Sequence, residues 1–181
     1  MNSEGFDYID IDPFGTPNPF LDAACKRIAR DGILAVTATD TSALSGSSEK
    51  ACQRKYCAKP LKNEFMHETG IRILIRKVQI TGAELGKAMF PIFSYSKDHY
   101  YRIFFRCEKG KQKVDNLLKH HKFFLYNWKT TEREISQYNY KNGFDYAGPL
   151  WTGNLWESDL VDKMHMRCDI KNKMLYDLMS I

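Results

Sequence analysis

Phe6-Asp7-Tyr8-Ile9-Asp10-Ile11-Asp12-Pro13-Phe14-Gly15-Thr16 reads as a short apolar strand that runs into an acid-Pro-aromatic corner. Pro13 fixes its own φ and keeps Asp12 out of the helical region, so the chain leaves the strand in a stiff extended step that holds Asp12 and Phe14 in place. Gly15 allows close approach of the backbone. In such a corner a carboxylate and a backbone carbonyl can accept the two N–H bonds of an amine on a planar base, while the aromatic ring stacks on the base itself. An ordinary strand-to-helix turn uses the same residue types.

Downstream, Pro17 and Pro19 suit a helix start, and Phe20, Leu21, Ala24, Cys25, Ile28 and Ala29 recur at helical spacing, with Gly32 expected to end the helix. Ile33 to Ala38 is nearly all apolar, as for a parallel strand covered on both faces. It ends in Thr37, Thr39, Asp40, Thr41 and Ser42, and open α/β sheets bind their ligands at that carboxyl edge. Ser42 to Pro60 is polar, with a short helix expected at Glu49 to Tyr56. Its Arg54 and Lys55 suit contact with phosphates or belong to a loop without a ligand. Asn63 to Ala83 reads as a long helix with Phe65, Met66, Ile73, Leu74 and Val78 on its apolar side. His67-Glu68 begins like HExxH, but Ile71 rules that motif out.

Lys87 to Ser94 and His99 to Cys107 read as an antiparallel hairpin that closes the sheet. From Glu108 the pattern changes to a helix at Val114 to His121, strands at Lys122 to Trp128 and Arg133 to Tyr138, a Gly148-to-Gly153 turn and a terminal helical stretch. Residues 1–107 and 108–181 are therefore expected to form two units, the first α/β and the second a small α+β domain.

The 181 residues are 43% hydrophobic and 27% charged, the balance of a globular protein. No apolar run approaches the roughly 20 residues that span a bilayer, and Met1 to Gly5 does not resemble a leader, so a cytoplasmic protein is expected. The five cysteines include no CxxC pair and read as reduced thiols, with no metal expected. The net charge is only +5, but Lys111, Lys113, Lys119 and Lys122 cluster with His120 and His121 and lead into Phe123, Phe124, Tyr126 and Trp128. That interleaving suits RNA, where cations meet phosphates and rings stack on bases; a solvated helix followed by a core strand has the same pattern.

The blocks DYIDIDPFGTPNPFLDAA, GILAVTATDTSALSG, ACQRKY, FMHETGIRILIRKV, DHYYRIFFR and GPLWTGNLW, in that order between residues 6 and 156, resemble the tRNA (guanine-26-N2)-dimethyltransferase family. The resemblance implies an α/β fold: the second half of a class I, Rossmann-like methyltransferase sheet ending in an antiparallel hairpin, then a tRNA-holding α+β domain. It implies methyl transfer from S-adenosylmethionine to the exocyclic N2 of a guanine in the tRNA core. By position, Asp12 matches the family's catalytic acid, Pro13 offers its carbonyl, and Phe14 stacks on the guanine. Thr37 and Asp40 line the base pocket or support the loop, with Thr37 expected to be buried and bonded to backbone. Alternation along the strand can turn Asp10 away from the site. Arg54, Lys55, Lys111, Lys113, Lys119 and Lys122 are the expected tRNA contacts.

The chain departs from the family pattern in one respect. A class I methyltransferase holds its cofactor through a glycine-rich turn and a ribose-binding acid, both ahead of the acid-Pro-aromatic strand, and only five residues precede Phe6 here. The paired cysteines that some relatives carry ahead of GPLW are missing between Gln137 and Ala147. The main cofactor motifs are thus expected to lie on an amino-terminal segment or second polypeptide that pairs with the Phe6 strand, whose edge is otherwise open. Two other readings remain: a non-catalytic RNA-binding subunit, and an amino-methyltransferase acting on adenine in DNA, where acid-Pro-aromatic corners also occur.

Overall fold

A computed structural model describes residues 5–167 as a four-stranded mixed sheet and a three-stranded antiparallel sheet that share one long helix. The first sheet contains β1 (Phe6–Ile11), β2 (Ile28–Ala38), β3 (Lys87–Lys97) and β4 (Tyr100–Lys109) in the order β1-β2-β4-β3. β1 and β2 are parallel, and β4 pairs antiparallel to both β2 and β3. The expected parallel strands and closing hairpin are present, and β1 stands at an edge.

Helix α1 (Asn18–Arg27) connects β1 to β2. It ends five residues before Gly32, which lies inside β2. The reason is remote in sequence: Lys87 Nζ donates to the carbonyls of Cys25, Lys26 and Ile28 at 2.6, 3.1 and 2.8 Å, so the orphan acceptors of the helix end are satisfied early. Asp31 takes a positive φ of 62°, and the β1–β2 register jumps from Phe6↔Ile28 to Tyr8↔Ile33, the signature of a bulge.

Two short helices follow, α2 (Thr41–Leu44) and α3 (Glu49–Tyr56), before α4 (Met66–Ala83). Residues 63–65 precede α4 and are outside it, although the periodicity had included them. Ile11, Leu34, Val36, Ala38, Ile103, Phe105 and Tyr101 are buried in one cluster with Leu21 of α1 and Ile73, Leu74 and Val78 of α4. Gly70 permits a close approach in that packing, since a Cβ there would lie 2.8 Å from the Tyr101 ring. The opposite face carries Asp10, Arg102, Phe104 and Tyr95, all partly exposed. Thr37 is buried on that face, but Arg102 is the donor to its hydroxyl at 2.6 Å, in place of the expected backbone partner.

The second sheet contains β5 (His121–Tyr126), β6 (Arg133–Ser136) and β7 (Asp145–Trp151) in the order β6-β5-β7, reached through α5 (Lys111–Leu118). Gly148 to Trp151 was expected as a turn and is strand: Leu150 and Trp151 pair with Lys122 and His121 of β5, and Gly148 exchanges both backbone hydrogen bonds with Lys59, at 2.8 and 2.7 Å. The last helix among the described residues, α6 (Ser158–Arg167), has no buried residue. The two sheets are joined through α4. Tyr126 hydroxyl donates to Glu64, His121 bonds Gln79 at 2.8 Å, and Arg72 donates to the carbonyls of Trp151 and Gly153. The buried cluster that includes Leu34 also includes Leu117, Leu150 and Trp151. Among the described residues no helix is long and apolar enough to cross a membrane.

Candidate active site

The corner after β1 is presented outward. Asp12 is exposed, Pro13 is half-buried, and the Phe14 ring is fully exposed, an uncommon cost for a large apolar side chain. Gly15 adopts φ 87°, a conformation that glycine takes without strain.

Behind this exposed tip the loop is tied down. Thr39 at the end of β2 donates its N–H to the Gly15 carbonyl at 3.0 Å and accepts the Gly15 N–H on Oγ1 at 2.6 Å. Tyr56, fully buried at the end of α3, donates its hydroxyl to Asp40 Oδ1 at 2.8 Å and lies 3.0 Å from the Thr16 hydroxyl. Burial is the main reason its phenol is pushed well above the usual range. Lys55 Nζ takes the other Asp40 oxygen at 3.0 Å, and Asn18 donates to the Lys55 carbonyl. With both oxygens engaged, Asp40 braces the loop, and buried Thr37 lies under Arg102. Asp12, Pro13 and Phe14 are left as the groups facing outward.

Asp10 points to the opposite face from Ile11 and forms a two-pronged pair with Arg102 at 2.7 and 2.6 Å. Those hydrogen bonds hold its carboxyl below the usual carboxylate range. Alternation along β1 therefore separates the two acids, one to the frame and one to the corner.

The basic residues divide. Arg54 is exposed on α3 and Lys55 borders the corner. Lys111 and Lys113 follow the far end of β4, which pairs with the start of β3 and lies roughly 25 Å from the corner edge along the strand. Lys113 pairs with Glu108, Lys119 reaches Asn116 at 2.9 Å, and Lys122 is half-buried in β5. Exposed Trp128 and Arg133 lie at the corner end of the second sheet, since Arg133 sits 5.0 Å over Phe65, just before α4. Tyr56 and Arg102 had no role in the sequence reading; ACQRKY contains the first, but nothing local reveals its partners.

The outer edge of β1 and α1 border a groove of about 610 Å3, lined by Phe6, Tyr8, Ile9, Phe20 and Ala24 and ending at Asp12 and Pro13. Among the described residues no cluster of His, Cys, Asp or Glu can hold a metal ion.

Residues 1–177 match the family described as N2,N2-dimethylguanosine tRNA methyltransferase. The tRNA (guanine(26)-N(2)/guanine(27)-N(2))-dimethyltransferase of Aquifex aeolicus is 45% identical over 170 residues, which are 89% of this chain and 43% of that protein. The tRNA (guanine(26)-N(2))-dimethyltransferase of Methanobrevibacter smithii is 41% identical over 181 residues, 94% and 47% of the two chains. Trm1 from Pyrococcus horikoshii, solved with S-adenosyl-L-methionine, superposes with a TM-score of 0.86 at 36% identity, covering 97% of this chain and 48% of that one. The chain thus spans less than half the length of these relatives, and its sheet is the matching portion of a Rossmann-like methyltransferase fold. On the match that extends from the corner through both sheets, the chain belongs to the N2,N2-dimethylguanosine tRNA methyltransferase family.

Proposed function

We propose that this chain presents a guanine of the tRNA core for methylation at its exocyclic N2, with S-adenosylmethionine as the methyl donor. The observation that carries this reading is the exposed Asp12-Pro13-Phe14 tip on a loop braced by Thr39, Tyr56 and Asp40. Phe14 stacks on a guanine drawn out of the RNA helix, at a cost of a few kcal/mol. The Asp12 carboxylate and the Pro13 carbonyl accept the two N2 hydrogens and orient the nitrogen's lone pair, and Asp12 is the group placed to take a proton from that nitrogen. The surface for RNA combines Arg54 and Lys55 with the second sheet, residues 1–107 serving the chemistry and 108–181 the grip, in the cytoplasm.

The described residues do not by themselves fit S-adenosylmethionine. The groove beside β1 is largely apolar and has no glycine-rich turn. The open β1 edge and the coverage of less than half of each relative support a further segment or polypeptide that pairs with β1 and brings the donor site. Strong hydrogen-exchange protection of Phe6 to Asp10 in a chain shown to be alone and monomeric contradicts that pairing. The same lack of fit favours a second reading, a subunit that holds the base without transferring a methyl group. Labelled methyl transfer to tRNA, with a candidate amino-terminal segment added, separates the two. Transfer that Asp12→Ala abolishes while tRNA affinity stays nearly constant supports the enzyme, because phosphate contacts dominate affinity. tRNA binding without transfer supports the subunit.

A further inference from the structure

A cavity of about 790 Å3, within the roughly 300–1,000 Å3 range of ligand sites, opens between the first half of α4, the second half of β3 and the segment Thr152 to Val161. It is separate from the corner. The register places Tyr95 beside Arg102, Arg102 beside Thr37 and Thr37 just past Val36, so the cavity lies three strands away, roughly 14 Å, on the same edge of the sheet.

Its lining is unlike a phosphate site. Glu64, just ahead of α4, and Glu68 in its first turn both line it, each with one oxygen in use, to Tyr126 and to Arg72. Arg72 is the cation of the lining, and its guanidinium is occupied by Glu68 and by the carbonyls of Trp151 and Gly153. Trp156, 43% exposed, supplies aromatic surface, while Phe93 and Tyr95 border the cavity with their rings packed against Phe104 and Tyr100 on the other face of the sheet. Carboxylates repel the RNA backbone but accept from ring and amino N–H groups, and aromatic faces take a flat heterocycle. Guanine has adjacent N1–H and N2–H donors on one edge, which match one carboxylate in two-pronged fashion. Adenine and cytosine offer a single amino group there.

We infer that this cavity is a second guanine site, which takes an unpaired guanine of the same RNA while the target guanine sits on Phe14. The inference rests on the tRNA reading above. Its role is selection: the RNA engages fully only when two guanines at the right separation are both displaced.

The test uses the full 181-residue chain, the indole N–H signal of Trp156 assigned by Trp156→Phe, and guanosine, inosine, spermidine and a tRNA transcript as probes. Guanosine is expected to shift that signal, and inosine, which lacks the N2 amine, to bind at least about tenfold more weakly. Glu64→Gln and Glu68→Gln retain an acceptor for Tyr126 and Arg72 but lose charge, and each is expected to weaken guanosine binding several-fold. Phe14→Ala leaves the Trp156 response in place, which separates this site from the corner. If tRNA binds in a gel-shift assay and neither it nor guanosine moves Trp156, the second site is overturned while the tRNA reading stands. Spermidine acting more strongly than guanosine overturns it in favour of a polyamine site. Failure of tRNA to bind removes both readings.

Discussion

Gly15 and Thr39 hold each other by a pair of hydrogen bonds of 3.0 and 2.6 Å, and this pair fastens the exposed corner to the end of β2. Thr39→Val keeps the shape of the side chain and removes the acceptor of the Gly15 N–H. The expected cost is about 1 kcal/mol, with faster exchange of the Gly15 amide and unchanged tRNA affinity. Exchange no faster than in the parent chain contradicts this brace.

Tyr56→Phe tests the second tie. It keeps the buried ring and removes the hydroxyl between Thr16 and Asp40. Stability is expected to fall by about 1–2 kcal/mol, since a part-buried carboxylate loses a donor. A 2-aminopurine placed at the target position of the RNA should stack less on Phe14 at the same RNA affinity. An unaltered fluorescence signal limits Tyr56 to packing.

Lys87→Met keeps the apolar stem and removes the ammonium that caps α1. The Cys25, Lys26 and Ile28 carbonyls then lack this donor, and a loss of about 1–3 kcal/mol in chemical denaturation is expected. Because those carbonyls precede the bulge in β2, amides of residues 28–33 should lose protection first. A denaturation midpoint equal to that of the parent chain rules the cap out as a stabilising contact.

His121 lies against Gln79 and near Arg76, and burial is the main cause that pushes its pKa from 6.5 down to about 4. The unfolded chain therefore binds a proton that the folded chain refuses between those values. The contribution of this group to stability is complete above about pH 6.5 and is lost as the pH falls towards 4. His121→Gln should flatten that part of the stability profile, as measured by thermal unfolding across the window. An identical slope in the variant assigns the effect to other groups.

The parts of the fold that local patterns specify were legible from the sequence. β1 and α3 have the expected bounds, because one ends at Asp12-Pro13 and the other is a short amphipathic turn ahead of a left-handed Cys57. Elements set by remote partners were not. Gly148 to Trp151 is strand because β5 pairs with Leu150 and Trp151 and Lys59 bridges Gly148, and α1 stops at Arg27, where Lys87 caps it. The site shows the same division. The stiff corner that holds out Phe14 was legible, whereas Tyr56 finds Thr16 and Asp40 across distant stretches of chain, and the far position of Lys111 follows only from the antiparallel course of β4.

Because α4 lies in the core of the first sheet and receives His121 and the carbonyls of Trp151 and Gly153 from the side of the second, with Tyr126 bonded to Glu64 just ahead of it, it acts as a fixed beam between the sheets. On the proposed tRNA reading, an RNA held by the second sheet would meet the corner at a preset separation. The molecule would then work as a gauge, in which the distance between grip and target is set by protein before any base leaves its stack.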